Sequence, residues 1–91
     1  MRRSEAFYVE AVSGTEELKH ESATPLYMQL ANIIAAKIAS GELQPDRPIP
    51  AETRLAEQYG IARLTARRAV RELQERGLVV TVPGKGTYVA E

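Results

Sequence analysis

Three residues, Gly60-Ile61-Ala62, separate two segments of helical periodicity, and so short a connection holds the second helix across the first. Upstream, Glu52-Thr53-Arg54-Leu55-Ala56-Glu57-Gln58-Tyr59 places Leu55, Ala56 and Tyr59 on one side. Gly60 then stands where a left-handed residue ends a helix. Downstream, Ala62 to Gly77 sets Ala66, Ala69, Val70 and Leu73 at the three-and-four spacing of a buried helical stripe. Ile61 is placed to plug the corner between the two. A plain helical hairpin in some other small domain fits as far as this point, and the residues that follow argue against it.

After Gly77, Leu78-Val79-Val80-Thr81-Val82 is rich in β-branched residues, and its alternation predicts a half-buried strand with Leu78, Val80 and Val82 on one face. Thr87-Tyr88-Val89-Ala90 is expected to return beside it. The connection Pro83-Gly84-Lys85-Gly86 offers two glycines free to take positive φ, with Lys85 at the tip, in reach of a phosphate or a minor groove. Gly84-Lys85-Gly86 lacks the spacing of a phosphate-binding P-loop and follows no buried parallel strand that opens into a helix. The expected fold is mainly α with a small β-hairpin: a winged helix-turn-helix of three helices plus a two-stranded wing.

The second helix of the pair carries the charge. With Ala66 at the centre of the buried stripe, the 3.6-residue period turns Arg63, Arg67 and Arg71 onto an adjoining face, which Leu64 and Arg68 extend, and Thr65 falls on the other flank. No acidic residue lies between Gly60 and Arg71, so the expected field is positive and uncompensated. A face meant only for solubility usually mixes both signs. The N-terminal half of this helix is the part that a helix-turn-helix inserts into the major groove, so double-stranded DNA is the expected partner. Net charge over the 91 residues is zero and advertises nothing, but the distribution does: residues 1–23 hold five Glu against two Arg and one Lys, and the remainder has nine basic and seven acidic residues.

Ahead of the pair, Thr24 is expected to cap a first helix with Pro25 at its first position and Tyr27, Leu30, Ala31, Ile34 and Ile38 along one face, until Ser40-Gly41 stops it. Leu43-Gln44-Pro45-Asp46-Arg47-Pro48-Ile49-Pro50 reads as a proline-stiffened connector anchored by Leu43 and Ile49. Residues 24–91 then make one small domain, and residues 1–23 are expected to be an acidic, flexible tail. Within that tail, Phe7-Tyr8-Val9-Glu10-Ala11-Val12 has the composition of a short strand that an edge of the wing sheet would accept, and the competing expectation is a dimerisation or self-inhibitory element, the acidic segment visiting the basic helix.

Catalysis has no foothold. The chain has no Cys, its single His20 stands in the polar tail, and its carboxylates are dispersed among basic residues, so neither a metal cluster nor an acid/base pair is expected, and no cofactor. Tyr27, Tyr59 and Tyr88 fall at core-edge positions rather than as a stacking platform for single strands. No signal peptide or long apolar run is present, which argues against a membrane and for the cytoplasm. The alternative function is a winged-helix module that contacts proteins, which an exposed apolar patch on the third helix would favour.

Pro50-Ala51-Glu52, Leu55-Ala56, Gly60-Ile61-Ala62-Arg63, Thr65-Ala66-Arg67-Arg68-Ala69, Leu73, Gly77-Leu78 and Gly84-Lys85-Gly86-Thr87-Tyr88-Val89 together resemble the N-terminal domain of GntR-family bacterial transcription regulators. Pro25-Leu26-Tyr27, Gln29-Leu30, Ile38 and Gly41 extend the likeness upstream, toward the HutC-like and YtrA-like branches. The resemblance implies that Arg63, Thr65 and Arg67 approach bases or phosphates and that Gly84 and Lys85 reach the minor groove. Arg54, Leu64, Arg68 and Gly86 complete the candidate DNA-binding set. It also implies transcription regulation, with repression the expected outcome, a palindromic operator and self-association on DNA. The family's C-terminal effector and dimerisation domain is not within these 91 residues, so either a stand-alone small regulator or part of a longer one is expected, and no small-molecule effector site is visible. Two departures matter: Ala51 and Ala62 stand where the family usually has a Ser, or a Ser or Thr, so each helix loses a candidate N-cap worth about 1 kcal/mol. Leu64 occupies a position that is often polar, and contact with a thymine methyl is the expectation there.

Overall fold

The computed structural model describes residues 17–91. Three helices, α1 (Leu26–Ala39), α2 (Glu52–Tyr59) and α3 (Arg63–Glu75), precede an antiparallel hairpin of β1 (Val79–Val82) and β2 (Gly86–Val89). This is the winged helix-turn-helix. The apolar stripes meet in one core, with Leu30, Ala31 and Ile34 from α1, Leu55 from α2, and Ala66, Ala69, Val70 and Leu73 from α3. Val79 and Val89 close it from the wing and Ile49 from the connector. Burial of these side chains supplies the drive for folding, roughly 1.5–3 kcal/mol for each large aliphatic group.

Between α2 and α3 the turn follows the sequence reading. Gly60 is left-handed at φ 67°, and the Ile61 amide donates to the Ala56 carbonyl (3.0 Å), which also accepts from the Gly60 amide and so closes the last turn of α2. Ile61 is half-buried against the core. Ala51 and Ala62 are the N-caps, and neither helix start receives a side-chain hydrogen bond.

The first helix departs from the reading at its start. Pro25 itself is the N-cap, with φ −56° and ψ 147°, and its carbonyl accepts from the amides of Met28 and Gln29, both at 3.0 Å. Thr24 is therefore outside the helix and caps nothing. The Gln29 side chain ties down the chain ahead of α1: its Nε2 donates to the carbonyls of Thr24 (2.7 Å) and Lys19 (3.0 Å), and its Oε1 accepts from the Lys19 amide (2.8 Å). Leu18 is buried in the core. One apolar side chain and one glutamine thus anchor the turn ahead of α1, so Leu18 and Lys19 are held against the helices although they precede Thr24. Phe7–Val12 lies outside the described residues.

The wing reverses the expected strand face. Val79 is buried, whereas Val80 is 51% and Val82 40% exposed. Gly77, at φ 76°, turns the chain out of α3 while the Leu78 amide donates to the Leu73 carbonyl (3.0 Å). The strand therefore enters with Val79 inward, opposite Val89, and its period of two sends Val80 and Val82 outward. The connector is also more than a spacer. Asp46 and Ile49 donate to the carbonyls of Val89 and Thr87 (both 2.9 Å), Val89 donates to Arg47 (2.8 Å), and Pro48 bridges Tyr88. It pairs along β2, where a proline without an amide proton is tolerated at an edge.

Candidate nucleic-acid interface

Because its stripe of Ala66, Ala69, Val70 and Leu73 is buried, α3 turns Arg63, Leu64, Arg67, Arg68 and Arg71 to the exterior, all exposed. The structure divides this row between two grooves. On the wing side, Arg63 shares an open groove of about 390 Å³ with Lys85, Gly86 and Thr87 of the hairpin and with Pro50, Ala51 and Glu52 at the start of α2. On the α1 side, Leu64, Arg67, Arg68 and Arg71 line a recess of about 480 Å³ with Tyr27, Glu72 and Glu75. The first of these is the more informative: folding brings the helix-entry arginine and the wing-tip lysine to one depression.

The arginines differ in what holds them. Arg63 forms no ion pair or hydrogen bond through its side chain among the described residues. Arg67 Nε lies 3.2 Å from Glu52 Oε1, with the two side chains 45% and 34% exposed. The expectation of an uncompensated positive face is thereby corrected: acid is absent from the local sequence, but α2 presents Glu52 across the helix-turn-helix. Arg68 is drawn over the Tyr27 ring, its guanidinium carbon 4.1 Å from the centroid. Arg71 is exposed and forms no ion pair among the described residues.

The remaining candidates fall as follows. Leu64 is 69% exposed, and Thr65 is half-buried with its amide donating to Ala62 (3.0 Å). Gly84 (φ 76°) and Gly86 (φ 144°) adopt backbone that a side chain would strain, and between them the Lys85 amide donates to Val82 (3.0 Å), closing the turn. The Lys85 ammonium hovers 5.8 Å from the centre of the Tyr88 ring. Arg54 is exposed on α2 but lines neither groove. Glu52 and Tyr27 escaped sequence reasoning as parts of the site: the partner of Glu52 is fifteen residues away, and the apolar periodicity of α1 sufficed to explain Tyr27. Among the described residues no cluster of His, Cys, Asp and Glu is arranged to hold a metal ion, and no helix is long and apolar enough to cross a membrane.

A model of the bacterial regulatory proteins of the gntR family matches residues 26–89. The HTH-type transcriptional repressor NagR of Bacillus subtilis (strain 168) is 40% identical over 74 residues, which are 81% of this chain and 30% of that protein. The DNA-binding domain of AraR, solved in complex with operator ORE1, superimposes with a TM-score of 0.72 at 40% identity, covering 80% of this chain and 89% of that one. YtrA from Sulfolobus acidocaldarius, a GntR-family transcription factor, gives a TM-score of 0.76 at 35% identity over 82% of this chain and 79% of its own. The chain spans about three tenths of the length of the curated relatives it matches. Matched over its helices and wing alike, the chain belongs to the GntR family of bacterial regulatory proteins.

Proposed function

We propose that this chain binds double-stranded DNA in a sequence-specific manner and acts in transcription regulation as a repressor. The observation that carries the reading is the shared groove of Arg63 and Lys85, which sets an exposed guanidinium at the entrance of α3 beside a basic wing tip. In the proposed complex the N-terminal half of α3 enters the major groove, where Arg63 and Arg67 contact bases or phosphates. Thr65, Arg68 and Arg54 face the backbone, Leu64 faces a base edge, and Lys85, flanked by Gly84 and Gly86, follows the neighbouring minor groove. Repression rests on the names of the relatives, NagR and the histidine utilization repressors among them, and the proposed place of action is the cytoplasm.

The proposed operator is palindromic, with recognition helices about 34 Å apart, one turn of the duplex. The 91-residue chain is monomeric in dilute solution and pairs on the DNA. A protein-interaction role would need an apolar patch on α3, and Leu64 stands there among arginines instead. Selection from a random duplex pool, followed by shift assays at two salt concentrations, tests the reading. An enriched motif whose binding weakens as salt rises is expected, and a pool that never converges would overturn it. Light scattering that shows a tight dimer of the free chain would overturn the stoichiometry.

A further inference from the structure

We infer that Leu64 reads the 5-methyl group of a pyrimidine at the base step that faces the first turn of α3, a deepening that rests on the DNA-binding reading above. Leu64 is the most exposed large hydrophobic side chain among the described residues, at 69%. A lone exposed leucine on an arbitrary surface needs no explanation. This one is different because of what its neighbours are doing. Arg67 is tethered to Glu52 at 3.2 Å, and Arg68 is held back over Tyr27 at 4.1 Å. Thr65 is half-buried at the helix start. The two side chains of the first turn that project without a polar partner or ring contact among the described residues are therefore Arg63 and Leu64.

These two differ in what they can satisfy. A guanidinium serves a phosphate or the O6/N7 edge of guanine. The isobutyl group of Leu64 has no donor or acceptor, so it gains nothing from a phosphate and leaves the polar edges of guanine, adenine and unmodified cytosine unsatisfied. The one apolar group on a major-groove edge is the methyl at C5, carried by thymine and by 5-methylcytosine. Beside Leu64, a depression lined by Leu26, Tyr27, Thr65 and Arg68 gives the contact an apolar wall, with a hydroxyl and a cation close by for the adjoining phosphate.

The test is an anisotropy titration on the selected operator, in which each thymine is replaced in turn by deoxyuridine and each cytosine by 5-methylcytosine. Loss of one methyl from a buried contact is expected to weaken binding by about fourfold at one step of each half-site. In Leu64→Ala the same substitution is expected to change nothing, while the melting temperature of the exposed-site variant stays that of the parent. A gain confined to one 5-methylcytosine step, absent in Leu64→Ala, would support the same contact with the methyl on the other base. A flat scan on an operator that is bound specifically would overturn this inference and leave the DNA reading standing, as would a uridine penalty that persists in Leu64→Ala. Indifference to sequence altogether would overturn both.

Discussion

The two ends of α3 use the same residue in opposite ways. At the C-terminal end, Arg76 Nε donates to Glu72 (2.9 Å), and one terminal nitrogen donates to Asn32 (2.9 Å) and to the Met28 sulfur (3.0 Å), with 28% of the side chain exposed. That guanidinium fastens α3 to α1. At the N-terminal end, Arg63 is exposed and has no such partners among the described residues. An arginine whose donors are already engaged by the scaffold holds the fold, whereas one left with donors unengaged at the mouth of a groove is available to a ligand. Arg67 and Arg68 stand between these limits, each held by one contact and still exposed.

Substitutions at the two ends should therefore separate binding from stability. The largest effect is expected for Arg63→Ala, which should lose about 1–3 kcal/mol of specific affinity with little change in melting temperature. Unchanged operator affinity would break the contrast at once. Arg76→Ala should do the reverse, lowering stability by about 1 kcal/mol, or about 4–8 °C in a domain of this size, with the operator affinity of the folded protein preserved. Thermal melts and titrations of the same samples check both halves. Next in size, Ala62→Ser restores a side-chain cap at the start of α3 and should raise stability by about 0.5–1 kcal/mol. A melt that does not move would mean that the cap is not what this helix start lacks.

The smallest effect concerns the wing. Lys85→Ala removes at most one counterion-releasing contact, so the slope of log affinity against log salt should become shallower by roughly 0.9 while the ratio of specific to nonspecific binding holds. If the loss were instead confined to operators with A·T-rich flanks, Lys85 would be sensing groove width rather than acting as a point charge.

Local features were legible in the sequence. The helical stripes of α1 and α3, the left-handed Gly60, the two alanine N-caps and the Gly-Lys-Gly turn all depend on neighbours a few residues away. Misreadings arose where the deciding partner was remote or the pattern was degenerate. Leu78, Val79, Val80 and Val82 are apolar on both faces, so alternation could not choose between them, and the turn at Gly77 made the choice. The positive face looked acid-free because Glu52 arrives from another helix. The connector pairs with β2 through backbone groups that no side-chain pattern records, and Leu18 joins the core from a stretch whose composition suggested a tail.

Chemical protection of the selected operator shows whether the N-terminal half of α3 lies in the major groove with Arg63 at the bases. Dimethyl sulfate methylates guanine at N7, on the major-groove edge. Guanine N7 within each half-site is expected to be shielded by the parent protein and by Arg76→Ala, and to regain reactivity with Arg63→Ala at concentrations that restore equal occupancy. Guanines that stay fully reactive under saturating, sequence-specific binding would place the helix outside the major groove.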